Sequence, residues 1–389
     1  MREIYLIMVN AENNNNKFYH MKELGDMFEV RYGRVGKSET VRTYPIYDWD
    51  KKYNEKIKKG YRDVTDMYEV AANEDYKSSD NTVIDNLLET LFSYSNNYLN
   101  KNYTIGSERV TCKMIEAAQN LLVQMQRCAE NNDVYKFNYT YERLLTTIPR
   151  NINNVRNVIA KEKEDMTDII EREQSKLNVM ESSVALNTSN NKDGKTLAET
   201  MGIELRVVTK EEENILKHLN NDTQRHFKRA FKVVNKKTAK KFDTFCKKND
   251  YSEDDVKYMY HGSRNQNWVG ILSQGLLLNP KAPITGKMFG YGIYGSPTSR
   301  KSQGYSSLSG SYWTGGRSHH GFIAVFKFAM KDPMHVDRTN PFFRSVTYKK
   351  LQNKGHDSVF AHKGNALRND EVIVYNEAQV DIEYLIEVA

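Results

Sequence analysis

Between Tyr260 and Tyr305 the sequence gathers residues that could grip a flat, polar ligand. YHGSRN sets His261, Gly262 and Ser263 directly after a strand-like YMY. KMFGYGIYGSPTSRKSQGY then crowds glycines, tyrosines and serines into one short stretch. Glycines at such density let the backbone approach a ligand and offer its own N–H and C=O groups. Tyrosines supply flat faces with a polar end. Further on, Glu371 opens the apolar run VIVYN, and a carboxylate at the mouth of a core strand is costly to bury without a partner. Singly, each has an ordinary reading: a hydrogen-bonded histidine, glycines in turns, a glutamate that ends a strand. Acting together, they need elements that bring them to one place.

Those elements can be sketched from patterning. At 389 residues the chain is long for one core and implies two or three domains. From Met1 to about Val70, REIYLIMV, NKFYHM and MFEVRYGRV are short aromatic and β-branched runs, parted by the polar Ala11–Asn16 turn and a glycine. KYNEKIKKGYRDVTDMYEV adds a basic helix and a closing strand, and ANEDYKSSDNT is a linker. From Thr82 to about Ser182 the period becomes helical. Val83, Ile84, Leu87, Leu88, Leu91 and Phe92 share one face, and Met114, Ile115, Ala118, Leu122 and Met125 repeat it behind Ser107 as N-cap. Met166, Ile169, Ile170, Glu173 and Leu177 mark a more charged helix, and VALNTSNNKDGK reads as a loop. Past Gly202, IELRVV, FKRAFKVVN, GFIAVFKFAM and EVIVYNEAQV read as strands. Thr209 and Glu212 form a capping box for a helix through Leu219, and VGILSQGL is a short helix ending at Gly275. This last part is α+β.

Composition narrows the classes. Mean hydropathy of -0.73 and 28% charged residues describe a polar, folded protein, and no apolar run is long enough to span a bilayer. The N-terminus turns polar too early for a secretory leader. Cys112, Cys128 and Cys246 are scattered, which argues for an intracellular, reducing setting without disulfides or a zinc finger. That setting would be the cytoplasm or nucleoid of a bacterium or the nucleus of a eukaryote. A net charge of +7 is compatible with a polyanionic partner. The basic run Lys228–Lys248 reads as a solvated helix or loop, and His319–His320 as loop residues with no third ligand nearby.

YMYHGSRNQNWVGILSQGL, APITGKMFGYGIYGSPTSRKSQGY and NDEVIVYNEAQV resemble, in order, the catalytic domain of poly(ADP-ribose) polymerases. The resemblance covers most of Gly202–Ala389 and weakens between Tyr312 and Lys350. It implies NAD as substrate, no metal, and the family's His–Tyr–Glu set at His261, Tyr294 and Glu371. By the same resemblance the Gly262 backbone and Ser302 hydroxyl hold the nicotinamide amide, with Gly292 lining the pocket. Tyr305 and Tyr294 flank the ring, His261 and Ser263 hold the adenosine ribose, and Lys301 orients Glu371. Nicotinamide leaves NAD as a neutral group, so the bond breaks without a general acid. What helps is holding the dinucleotide and stabilising an oxocarbenium-like ribose. Three departures bear on the product. Leu277 stands where many relatives carry arginine, NPKAPITGKMF is one residue short, and Asn369 replaces a tyrosine that seats the growing polymer.

NNKFYHM, FEVRYGRVGKSETV and KKGYRDVT resemble the WGR domain, with Tyr32 in place of its tryptophan. That implies DNA-break or nick binding centred on Arg34, flanked by Tyr32, Arg31 and Lys37, through salt-sensitive phosphate contacts. CKMIEAAQNLLVQMQ and NYTYERLLTTIPRNI resemble the helical regulatory domain of the same enzymes, with Asp168 and Glu171 as candidates for facing the substrate cleft. The expectation is a multidomain chain. It has a small β-rich WGR domain over 1–72, an all-α regulatory bundle over 80–200 and an α+β ADP-ribosyltransferase fold over 202–389. It is expected to act as a monomer, away from membranes, on protein acceptors including itself. A mono-ADP-ribosyltransferase and an inactive DNA-end-binding module are the alternatives.

Overall fold

The structure, a computed structural model, describes residues 2–65, 76–105, 107, 110–187, 194–218, 226–278, 288–364 and 367–389. Most of the NPKAPITGKMF loop, and part of the strand expected at YRDVTDMYEV, lie outside these residues. Contacts divide the chain into two compact units, residues 1–73 with 97–188 and residues 74–96 with 189–389.

The first unit begins with β1 (Glu3–Asn10), β2 (Asn15–Leu24), β3 (Met27–Arg34) and β4 (Glu39–Pro45), followed by α1 (Trp49–Lys58) and β5 (Arg62–Asp63). The strands form one antiparallel sheet in the order β4-β3-β2-β1-β5. Period-two alternation sets its inner face: Tyr19 and Met21 on β2 and Phe28 and Val30 on β3 are buried, and α1 lays Trp49 against them. Asn14 turns the chain from β1 to β2 with φ of 51°, a conformation asparagine tolerates better than most side chains.

Helices follow. α2 (Thr82–Asn102) is divided between the units, whereas α3 (Cys112–Glu130), α4 (Val134–Thr147) and α5 (Lys163–Asn187) belong to the first. The apolar stripe of α3 is buried as its spacing requires, at Met114, Ile115, Ala118, Leu122 and Met125. Its N-cap is Thr111 and not Ser107, because the Thr111 hydroxyl accepts the Met114 N–H at 3.2 Å, within one turn of the first apolar residue. The helix α5 runs through Val184–Asn187, where a loop was expected. Val184 and Leu186 are buried, and that burial outweighs the polar composition beyond them. Glu173, on the charged helix, points inward to Arg150.

The second unit carries α6 (Leu197–Met201), β6 (Ile203–Val207), α7 (Lys210–His218), β7 (Phe227–Asn235), α8 (Lys236–Lys248), β8 (Val256–Ser263), α9 (Trp268–Gln274), β9 (Ile293–Gly295) and α10 (Ser299–Gln303). It ends with β10 (Gly321–Ala329), β11 (Pro333–Val336), α11 (Tyr348–Gln352), β12 (Ser358–Ala361), β13 (Glu371–Val374) and β14 (Val380–Val388). The first half of the basic run is therefore strand and the second half helix. A five-stranded sheet, β6-β7-β14-β10-β8, lies beside a four-stranded one, β11-β12-β13-β9. A two-way bridge between Tyr260 and Ser296 joins their edges, with N–H to O distances of 2.8 and 2.9 Å. The inner strand β10, flanked by β14 and β8, is buried almost throughout, so it reads as a continuous apolar run without alternation. These features make a multidomain protein: a β-rich N-terminal region, a helical segment and an α+β C-terminal part.

Candidate active site and nucleic-acid face

The candidate residues gather where the two sheets of the second unit meet. β8 is the edge strand of its sheet, and Tyr260 spends its N–H and C=O on Ser296, away from β10. In a strand, residues two apart direct their backbone groups the same way, so Gly262 also turns its N–H and C=O to this edge. Gly262 has to be glycine there: a Cβ would come within 1.7 Å of the Ser302 carbonyl oxygen on α10. The result is one donor and one acceptor side by side on an edge, which is what a carboxamide needs. Gly292 is different, since the space it leaves is taken by Ile373, whose Cγ2 would lie 2.2 Å from an added Cβ.

His261 comes next along β8. Its Nδ1 lies 3.0 Å from the Tyr294 carbonyl oxygen. A carbonyl can only accept, so Nδ1 carries a proton and donates to it. Tyr294, on β9, donates its hydroxyl to the Gly290 carbonyl at 2.8 Å and accepts from the Phe289 N–H at 3.2 Å. Burial pushes that hydroxyl well above its ordinary range, so it is a fixed donor at any working pH. Ser263 closes β8 and accepts from the Asn267 side chain at 2.9 Å.

Glu371 enters from the other sheet. Register pairs it with Ala361 on β12 and sets Ile373 opposite Tyr294 on β9. It is only 7% exposed, and its Oε1 is ion-paired with Lys301 on α10. Burial brings the Lys301 ammonium down to about 8. The same short helix supplies Ser302, which is buried, and Tyr305 follows it, partly exposed and stacked at 5.9 Å on Trp313. The fold therefore gathers His261, Gly262, Ser263, Tyr294, Lys301, Ser302, Tyr305 and Glu371 at the junction of two sheets. Sequence reading did not single out Trp313 or Tyr312; their signal was a pair of large aromatics inside a Gly/Ser loop. Among the described residues no group of three or more His, Cys, Asp or Glu could hold a metal ion. Nor is any described helix long and apolar enough to cross a membrane.

In the first unit the basic residues of the expected nucleic-acid face are mostly engaged. Arg34 donates to the Asn14 carbonyl at 2.8 Å, the Asn14 side chain at 3.2 Å and the Asn153 carbonyl at 2.6 Å. Asn14 also accepts from the Val155 N–H at 2.9 Å, so this arginine ties the β1–β2 turn to the segment after α4. Arg31 is paired with Glu29 and Glu39 at 2.7 and 2.8 Å. Tyr32 is half-buried beside Tyr19, and Lys56 sits over the rings of Tyr19, Tyr32 and Tyr61. Lys37 is exposed. The sequence hinted at the clasp only through its run of asparagines.

A backbone donor and acceptor on a sheet edge thus lie against Ser302, next in sequence to the Lys301 that pairs with the buried Glu371. Comparison with known proteins gives the chain its family. Residues 208–323 match the poly(ADP-ribose) polymerase catalytic domain, and residues 2–67 match the WGR domain. Uncharacterized protein 101L of Invertebrate iridescent virus 6 is 36% identical over 192 residues, covering 49% of this chain and 81% of that protein. Poly(ADP-ribose) polymerase 2 of Homo sapiens is 32% identical over 156 residues, 33% of this chain and 26% of that protein. Poly(ADP-ribose) polymerase of Drosophila melanogaster is 31% identical over 185 residues, 40% of this chain and 17% of that protein. The chain thus spans 26% and 17% of the lengths of these two polymerases. It belongs to the poly(ADP-ribose) polymerase family, and its C-terminal part carries that family's NAD ADP-ribosyltransferase domain.

Proposed function

We propose that the whole chain is a DNA-break-stimulated enzyme that moves ADP-ribose from NAD to protein acceptors, itself included, and elongates the product. Its working parts are residues 1–72, 80–200 and 202–389. The observation that carries this reading is the outward-facing amide pair of Gly262, set against Ser302 and beside the Lys301–Glu371 pair. A nicotinamide carboxamide matches that edge: its N–H₂ donates to the Gly262 carbonyl and its C=O accepts from the Gly262 N–H. The Ser302 hydroxyl gives a third contact, and Tyr305 and Tyr294 flank the ring. His261 and Ser263 hold the adenosine ribose. The Glu371 oxygen opposite the one on Lys301 binds the 2′-OH of the nicotinamide ribose. As the C1′–N bond breaks, its electron pair leaves with neutral nicotinamide. The acceptor oxygen bonds to C1′, and Glu371 draws off its proton.

The first unit supplies the nucleic-acid contact through Lys37, Arg31, Tyr32 and Arg34. Asp168 and Glu171, both exposed on α5, are the candidates for restraining the cleft until DNA binds. The test is direct. The full chain is incubated with labelled NAD, with and without nicked DNA, and the products are run on a gel. A DNA-dependent ladder is expected. A single shifted band means transfer of one unit only, and no labelled product in either lane overturns the enzymatic reading.

A further inference from the structure

Beside the cleft, the loop between α10 and β10 holds three aromatic rings at the surface. Tyr305 and Trp313 lie nearly parallel, 15° apart, and Tyr312 stands edge-on to Trp313 at 4.8 Å. Trp313 is 57% and Tyr312 69% exposed. Large rings left in water need a reason when their loop is so firmly held. Ser306 and Ser311 both donate to the Gln303 carbonyl, at 2.8 and 2.9 Å, and lie 3.0 Å from each other. The Trp313 N–H donates to the Gly304 carbonyl at 3.0 Å, and Ser309 and Ser318 close the base of the loop at 2.8 Å. The rings are therefore presented and not merely frayed. Arg368, three residues before Glu371, places its guanidinium 5.6 Å over the Tyr312 ring, and Arg317 is exposed in the same loop.

We infer that Tyr312, Trp313 and Arg368 form a ledge that seats the unpaired bases and a phosphate of a single nucleic-acid strand beside the cleft. Aromatic faces accept any base, because every base has a π-face, and a guanidinium alongside takes the linking phosphate. A duplex hides its base faces and cannot use such a ledge. A peptide would supply neither the series of flat rings nor the phosphate spacing. The inference deepens the transferase reading and rests on it for the place of Tyr305 and Glu371. It brings a strand end to the acceptor side of the cleft, where Asn369 leaves out the tyrosine expected to seat a polymer.

The chain has three tryptophans, and Trp49 and Trp268 are 3% and 0% exposed, so quenching of tryptophan emission reports Trp313. The full chain is titrated with oligo-deoxythymidine, with a blunt duplex and with short ADP-ribose oligomers. Saturable quenching by the single strand is expected, absent with duplex. Tyr312→Ala should weaken it by about 5- to 150-fold, the range for losing one base–aromatic stack. Arg368→Ala should lower the slope of log affinity against log salt by about 0.7, one phosphate contact on a single strand. Binding of a benzamide-type nicotinamide mimic is measured on each variant and should not change. No quenching, equal quenching by duplex, quenching by ADP-ribose oligomers alone, or an unchanged midpoint in Tyr312→Ala overturns the ledge. If the mimic binds and the strand does not, the ledge falls and the transferase reading stands. If the strand binds and the mimic does not, the reverse holds.

Discussion

Glu173 in the first unit and Glu371 in the second are both buried glutamates, and they are treated in opposite ways. Glu173, on α5, is 1% exposed and fully occupied. Arg150 donates to its Oε2 at 3.0 Å, while Lys176 and Tyr141 reach Oε1 at 2.6 and 3.2 Å. Burial alone would raise its pKa, but the charges of Arg150 and Lys176 outweigh that and hold it near 2. Glu371 is nearly as deep, yet among the described residues its one ionic partner is Lys301, on a single oxygen. A carboxylate whose lone pairs are all spoken for holds a fold together. One with an oxygen still turned to a cleft can act on a ligand. Burial does not separate Glu173 from Glu371; the saturation of their oxygens does.

The contrast breaks most sharply at Glu371. Glu371→Gln is expected to cut product formation from labelled NAD by about 10²- to 10⁴-fold, the usual weight of a proton-handling group. It also leaves Lys301 without its counter-charge, so unfolding free energy should fall, but by less than in the deeper Arg150–Glu173 pair because Lys301 is more exposed than Arg150. A comparable loss of stability would put Glu371 in the same structural class as Glu173. Glu173→Gln should do the converse. It leaves Arg150 buried without its counter-charge and is expected to cost about 3–5 kcal/mol in denaturant unfolding. The affinity of the variant for a nicotinamide mimic, measured while it is folded, should be unchanged.

Titration gives a smaller and finer test. Glu173 has a depressed pKa, so its contribution is present above the ordinary carboxyl value of 4.5 and is lost as pH falls toward about 2. Lys301 has a lowered pKa, so it is charged below about 8 and neutral above, and activity should decline as pH rises through that point. Stability moves the other way there. Between about 8 and the ordinary 10.5 the folded chain releases this proton before the unfolded chain does, which favours folding. A rate that stays flat through pH 9 while the fold persists would detach Lys301 from Glu371's work. Ser302→Ala should give the smallest change, a weakening of mimic binding by about 0.5–1.5 kcal/mol, read by calorimetry.

Much of the second unit was legible in the sequence, because its signals were local. β-branched runs gave the strands, Gly275 ended α9 in a left-handed turn, and the glycine-rich stretch marked the cleft. What composition could not reveal depended on contacts between distant residues. Glu173 falls in the stripe of Met166, Ile169, Ile170 and Leu177, and nothing local supplies its counter-charge until Arg150, twenty-three residues earlier, is brought beside it. Arg34 reads as a phosphate ligand, while its guanidinium is drawn to carbonyls at Asn14 and at Asn153, 119 residues away. Thr111 displaced Ser107 as a cap because both hydroxyls fit the residue type and only geometry chooses between them. Gly292 was singled out for a ligand, and the space beside it went to Ile373.

The Gly262 edge also bears on how such a pocket could escape a drug. A nicotinamide mimic that reads main-chain atoms offers the gene little to change, because every residue except proline presents the same N–H and C=O. Alanine, the smallest step, already drives a methyl group into the Ser302 carbonyl. Resistance selected against such a compound should therefore map to the flanking rings and hydroxyls and spare position 262, where, on the proposed reading, the variant that evades the inhibitor also spoils the seat for NAD.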